Sequence, residues 1–300
     1  MNETRHTDRA RRRWLPRPGV LFQAFKYAVY TLLILDFFLF LRLEWAASDH
    51  TFAGGVSWTE LTEAFSATID TGAWVVLLLI FELQTFVIPE EKLRGGLAWT
   101  LDALLALSYA LIVWAFYGYC AKTWLLYDVS AVVGVSGLCD LTGDGWALLT
   151  GFDEYTAFDA GSCARFEVGQ DLVRINGTSI VSGAEGLAAA RLLAWTDVAN
   201  AAAWLGVVIV LEIDVRLESL RRFGGLAFRL SYAVKALLYS VLLLAAVYWG
   251  IAGDFVDFWD AFLWLVAFAF IEMNVLGSHE RHREGASAGR GGGRVRAGEV

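Results

Sequence analysis

The chain has 300 residues, 57% of them hydrophobic, with a mean hydropathy of +0.51 and a formal net charge of −8. That is more apolar surface than one water-soluble core of this length buries, so the composition points to lipid and excludes an ordinary soluble domain. The excess of acid argues against nucleic acid as a partner.

A basic arm over 1–22 contains RRRWLPRP. Six apolar runs follow, at 23–44, 72–88, 100–121, 199–216, 229–250 and 257–276. Each approaches the roughly 20 residues a helix needs to cross about 30 Å of hydrocarbon. The plan is a first hairpin over 23–96 with its second helix extended outward, a third span over 97–121, and an outer module over 122–190. A fourth span with an outer extension (191–223), a last hairpin (224–278) and a polar, disordered tail (279–300) complete it.

Orientation follows from the basic residues, which favour the cytoplasmic side. Segments 44–71, 122–198 and 251–260 together hold four basic residues against 18 acidic ones. These segments are therefore expected outside and both termini in the cytoplasm, with the protein in the plasma (inner) membrane. The lipid bilayer is the first partner; a protein partner would meet the outer module.

In the first outer segment, Ser57 and Glu60 have capping-box spacing, so helix two is expected to begin near Trp58. In the module, DLVRINGTSIV (171–181) alternates apolar and polar residues around Asn176-Gly177. It predicts a hairpin with a two-residue turn and positive φ at both turn positions. SGAEGLAAARLLAW (182–195) reads as a helix running into the fourth span. Cys139 and Cys163 both lie in this outer segment, where oxidising conditions permit a disulfide. Cys120, near the end of the third span, is left over as a small apolar residue.

Spans two, four and six read GAWVVLLLIFELQTF, AAWLGVVIVLEIDVR and FLWLVAFAFIEMNVL. Each has a tryptophan (Trp74, Trp204, Trp264) eight residues before a glutamate (Glu82, Glu212, Glu272), and Gln84, Asp214 or Asn274 two residues after it. Twelve residues before each glutamate stands Asp70, Asn200 or Asp260. The fold expected is an all-α integral membrane protein of six transmembrane helices. They form three tandem parallel hairpins about a pseudo-threefold axis, with a small outer α/β module between helices three and four.

Acids inside spans are functional candidates because each costs about 2.5–3.5 kcal/mol at a helix centre. Glu82, Glu212 and Glu272 are therefore the candidate ion-binding set, with Asp70, Asn200, Asp260, Asp36 and Lys235 as supporting polar groups. Lys235 stands at a similar height to the glutamates and is a candidate partner for them. Asp36 reads as either a functional acid of the first hairpin or a hydrogen-bonding partner inside the bundle.

Two readings remain. One is a cation or proton pathway through the glutamates, with a bound cation of unknown kind. The other is a non-transporting scaffold or sensor whose glutamates only fix helix packing. No nucleophile with its base, Walker loop or dinucleotide fingerprint is present, so neither catalysis nor an organic cofactor is expected.

Overall fold

The computed structural model describes residues 18–52, 54–143, 145–165, 171–219 and 225–268. The N-terminal arm up to residue 17, the tail, Glu272 and Asn274 lie outside the described residues. The chain divides into two compact units, 34–261 and the end segments 1–33 with 262–300. In the end unit Tyr27 and Tyr30 meet edge to face, and the Lys26 ammonium lies 4.8 Å over the Tyr27 ring. Trp264 packs against Phe268 in the same unit.

Long helices dominate because the apolar runs contain no proline and are apolar on all faces, as lipid-embedded helices are. They are α1 (Pro18–Thr51), α2 (Ser66–Glu82), α3 (Gly96–Leu125), α4 (Ala184–Ser219) and α5 (Gly225–Ala252). A sixth, α6, is described over 255–268. Among the described residues, five helices are long and apolar enough to cross a membrane. They correspond to the first five expected runs, and the sixth is described for too short a length to test.

Helix ends follow local chemistry. Pro18 opens α1, where a missing N–H costs nothing. α5 ends at Gly253, whose φ of +91° suits a left-handed cap, and the amides of Gly253 and Asp254 return to the Trp249 carbonyl. Arg191 of α4 donates to the Leu126 carbonyl from Nε and Nη2, covering the C-terminal end of α3.

Helix two does not begin near Trp58. Ser57 and Glu60 do bond, with the Ser57 hydroxyl and amide donating to the Glu60 carboxylate at 2.7 and 3.0 Å. Only a one-turn helix, Leu61–Ala64, follows before Phe65 breaks the path at φ −128°, ψ 38°. The cause lies in another helix, because Glu44 of α1 caps the new start at Ser66.

The module is a five-stranded sheet of β1 (Val129–Ala131), β2 (Ala147–Gly151), β3 (Glu154–Ala157), β4 (Val173–Ile175) and β5 (Ile180–Ser182). Its order is β1-β4-β5-β2-β3, with β2 and β5 parallel and the other neighbours antiparallel. Alternation splits the apolar residues between two faces. Leu149, Ile175 and Ile180 pack on Leu187, Ala190 and Ala194 of α4, while Leu148, Leu172 and Val181 pack with Leu138, Phe158 and Cys163.

The Cys139–Cys163 disulfide closes the second face. The β4–β5 hairpin exists, but residues 176–179 form its loop instead of two residues. Thr178 N–H closes the turn onto the Ile175 carbonyl, and only Gly177 has positive φ, at +79°. The Thr178 hydroxyl also bonds Ile175, which favours the wider loop.

Within the larger unit α2 packs along α3, α3 along α4 and α4 along α5. An apolar groove of about 730 Å³, lined by residues such as Phe37, Val76, Leu107 and Trp114, lies among α1, α2 and α3. Such a surface is compatible with a bilayer.

Candidate functional site

Glu82 and Glu212, the two described members of the repeated set, stand in unlike surroundings. Glu82 is 5% exposed and ends α2, after which the helix widens into a π turn at Leu83–Val87. The Glu212 side chain is 58% exposed and pairs with Arg216 one turn on, Nε to Oε1 2.8 Å. Lys235 joins Asp214 instead of a glutamate, at 2.8 Å, and Ser231 donates to the same carboxylate oxygen at 2.6 Å. The reason is angular: positions two apart on a helix point about 200° from one another, so Asp214 faces α5 while Glu212 does not.

A more connected polar region lies toward the module. Glu44 accepts the amides of Ala67 and Thr68, one on each carboxylate oxygen, both at 2.9 Å. It thereby satisfies N–H groups that a helix start leaves open. Lys122 of α3 supplies the counter-charge, with Nζ 2.9 Å from Glu44 Oε1 and 2.6 Å from Asp153 Oδ2.

Asp153 sits in the tight β2–β3 turn at φ 56°, a left-handed position that aspartate tolerates. Near it the half-buried Tyr155 hydroxyl is pushed above its ordinary range, chiefly by burial and then by the Asp153 carboxylate. The Thr51 hydroxyl donates to it at 3.4 Å. Glu63 is also raised, first by burial. A cavity of about 20 Å³, enough for one water, adjoins these groups.

From this ionic centre a file of acids runs into the helices. Asp197 of α4 is within electrostatic reach of Lys122, Asp153 and Asp254, and the Trp249 indole stands beside it. Asp257 of α6 senses Asp197, Asp254 and Asp260. Tyr119 of α3 lies among Asp70, Asp197, Glu44 and Asp257, and its hydroxyl is 3.5 Å from Asp70 Oδ2. Trp74 also donates to Asp70 from one turn on.

Asp254 has a local role as well, accepting the Asp257 amide at 3.4 Å at the start of α6. Asp36 of α1 is 0% exposed, with both carboxyl oxygens lacking a hydrogen bond and the Asp260 carboxyl as its polar neighbour.

Of the supporting residues inferred from sequence, the structure thus connects Asp36, Asp70 and Asp260 through one network. Asn200 is half-buried, with Oδ1 unbonded. Trp74 and Trp204 touch, their ring centroids 5.9 Å apart.

Sequence reasoning missed Glu44, Lys122, Asp153, Tyr119, Asp197 and Asp257. One signal was available, because Asp254, Asp257 and Asp260 recur every third residue and so share a helix face. Among the described residues no three His, Cys, Asp or Glu side chains converge closely enough to hold a metal ion. Comparisons with family models, curated proteins and solved structures found no match to this chain.

Proposed function

We propose that the protein provides a cation or proton pathway, and that its ionisable route is the acid file from the Lys122 centre to Asp36. The observation that carries this is the linkage of Asp36, Asp260, Asp257 and Asp197, each within reach of the next, with Asp70 joined to them through Tyr119. Chains of intramembrane acids that face the bundle interior suit stepwise ion movement. The route departs from the glutamate set: Glu212 is exposed and engaged by Arg216, Glu82 is buried at the end of α2, and Glu272 lies outside the described residues.

The charge asymmetry supports placing the module outside the plasma membrane and both termini in the cytoplasm. The Trp74–Trp204 contact brings equivalent positions of two repeats together, as three hairpins around a pseudo-threefold axis require, and the apolar run at 257–276 supports a sixth transmembrane helix. The protein acts by passing ions, and no catalytic step is assigned to it.

The scaffold reading has one observation in its favour. Lys122 neutralises two acids from different elements, which is a packing role. Flux in proteoliposomes separates the two readings. On the pathway reading, wild type carries protons or monovalent cations, and Asp36→Asn and Asp197→Asn reduce the rate at least tenfold, while Glu212→Gln leaves it within twofold. Folded wild-type protein without flux would favour the scaffold; full flux in both aspartate variants would reject the acid file as the route.

A further inference from the structure

We infer that Asp36 and Asp260 form a proton-binding carboxyl pair at the α1–α6 end of the acid file. This deepens the pathway reading and rests on it for the ion's route, but the pair itself is testable without transport.

The argument starts from Asp36. Its side chain is fully enclosed, and neither oxygen has a hydrogen-bond partner. A carboxylate in that position is costly, whereas a carboxylic acid brings its own donor. The group facing it is another carboxyl, on α6. Two carboxylates at close quarters oppose each other's charge, and a single proton resolves the conflict. The O–H of one acid then donates to a carboxylate oxygen of the other. One proton is taken up, the pair changes from two negative charges to one, and no other bond is made or broken.

A second unpartnered group points the same way. Trp249 is 3% exposed, and its indole N–H makes no well-formed hydrogen bond although it stands beside Asp197. Donor and acceptors with unused capacity therefore occur at two stations of one file.

The group shown acting on the pair is Asp257, on α6 itself, which faces Asp260. From Asp257 the file continues to Asp197 on α4, beside Trp249 of α5, and to Tyr119 on α3, which meets Asp70 of α2. The nearest named cation of the network, Lys122, is bonded to Glu44 and Asp153.

A metal cation needs several oxygens at one point, and the described acids do not converge in that way. A proton needs only the next carboxyl. The spread of the file, an obstacle to coordination, suits relay.

The test uses the full chain in nanodiscs and infrared spectroscopy of the carboxylic-acid C=O stretch at neutral pH. Wild type is expected to show a protonated-carboxyl component that shifts in heavy water and is lost in Asp36→Asn and in Asp260→Asn. No protonated-carboxyl band in wild type, or a band unchanged in both variants, would overturn the pair. Should either variant fail to fold, carbon-13 NMR of aspartate-labelled wild type reads the protonated acid directly; a spectrum with only ionised aspartates overturns the inference.

Proton, sodium and potassium flux is measured on the same preparations. A band lost in the variants without any flux keeps the proton site and rejects the pathway. Flux without the band keeps the pathway and rejects the pair.

Discussion

Lys122 Nζ lies 2.6 Å from Asp153 Oδ2, tying α3 to a turn of the β-module. The same ammonium is 2.9 Å from Glu44, and the Lys122 and Glu44 side chains are 9% and 3% exposed. Replacing it with methionine leaves two acids without their cation. Loss of one partner from a buried ion pair costs about 3–5 kcal/mol. Lys122→Met is therefore expected to lower the unfolding temperature of the purified protein markedly, with Asp153→Asn recovering part of the loss. A melting curve that superimposes on wild type would contradict the arrangement.

Gly118 gives a steric prediction. A Cβ there would run into the backbone carbonyl of Thr62, in the one-turn helix before α2. Backbone cannot swing aside as a flexible side chain can, so Gly118→Ala forces the two elements apart. Overpacking of this kind costs about 1–3 kcal/mol. Gly96→Ala, where a Cβ meets nothing within 4 Å, serves as the control. Denaturant unfolding should separate the two variants; equal stabilities would show that the contact yields freely.

The disulfide joins residues 24 apart in sequence. Loop closure in the unfolded chain accounts for about 3.5 kcal/mol of module stability on the chain-entropy view. Reduction should raise amide exchange in the sheet and around Leu138 and Phe158, with little change in the middle of α3. Exchange unaltered by a reductant, once cleavage is verified by mass, would argue against this contribution.

For Tyr155 the sign follows from its neutral form. The hydroxyl is raised above its ordinary value of 10.0, so its contribution is complete below that value and declines as pH rises through the folded one. Glu60 and Asp159 act oppositely. Ser57 hydrogen bonds lower the first, and those of Ser162, then Gly161, lower the second. Their contributions are present above the unfolded-state values and fade as pH falls through the folded ones. Wild type should thus lose stability above about pH 10, and Tyr155→Phe should flatten that alkaline slope while leaving the acid limb in place. Parallel alkaline slopes in thermal unfolding would remove Tyr155 as the cause.

The long helices were legible because apolar runs without proline leave the chain few alternatives, and the disulfide because two cysteines share one segment. Glu44 and Lys122 were not. Each stands near the end of an apolar run, where a charge looks solvated, and 78 positions separate them. Nothing local marks two such residues as neighbours. The interruption at Phe65 was hidden for a related reason, since the group that caps Ser66–Thr68 belongs to another helix. Local capping chemistry at Ser57 suggested one start, and a tertiary contact chose another. The glutamates were visible as a pattern, but equal spacing does not confer equal surroundings, as Glu82 and Glu212 demonstrate.

The Glu44 carboxylate has a consequence for assembly. It closes the start of α2 from 23 and 24 residues earlier, yet its own counter-ion arrives only with α3, and the second acid on that lysine only with the β-module. A nascent chain ending after α2 would hold a capping carboxylate still waiting for its cation. The ionic closure of the junction between α1 and α2 is therefore complete only when the module that follows α3 has folded.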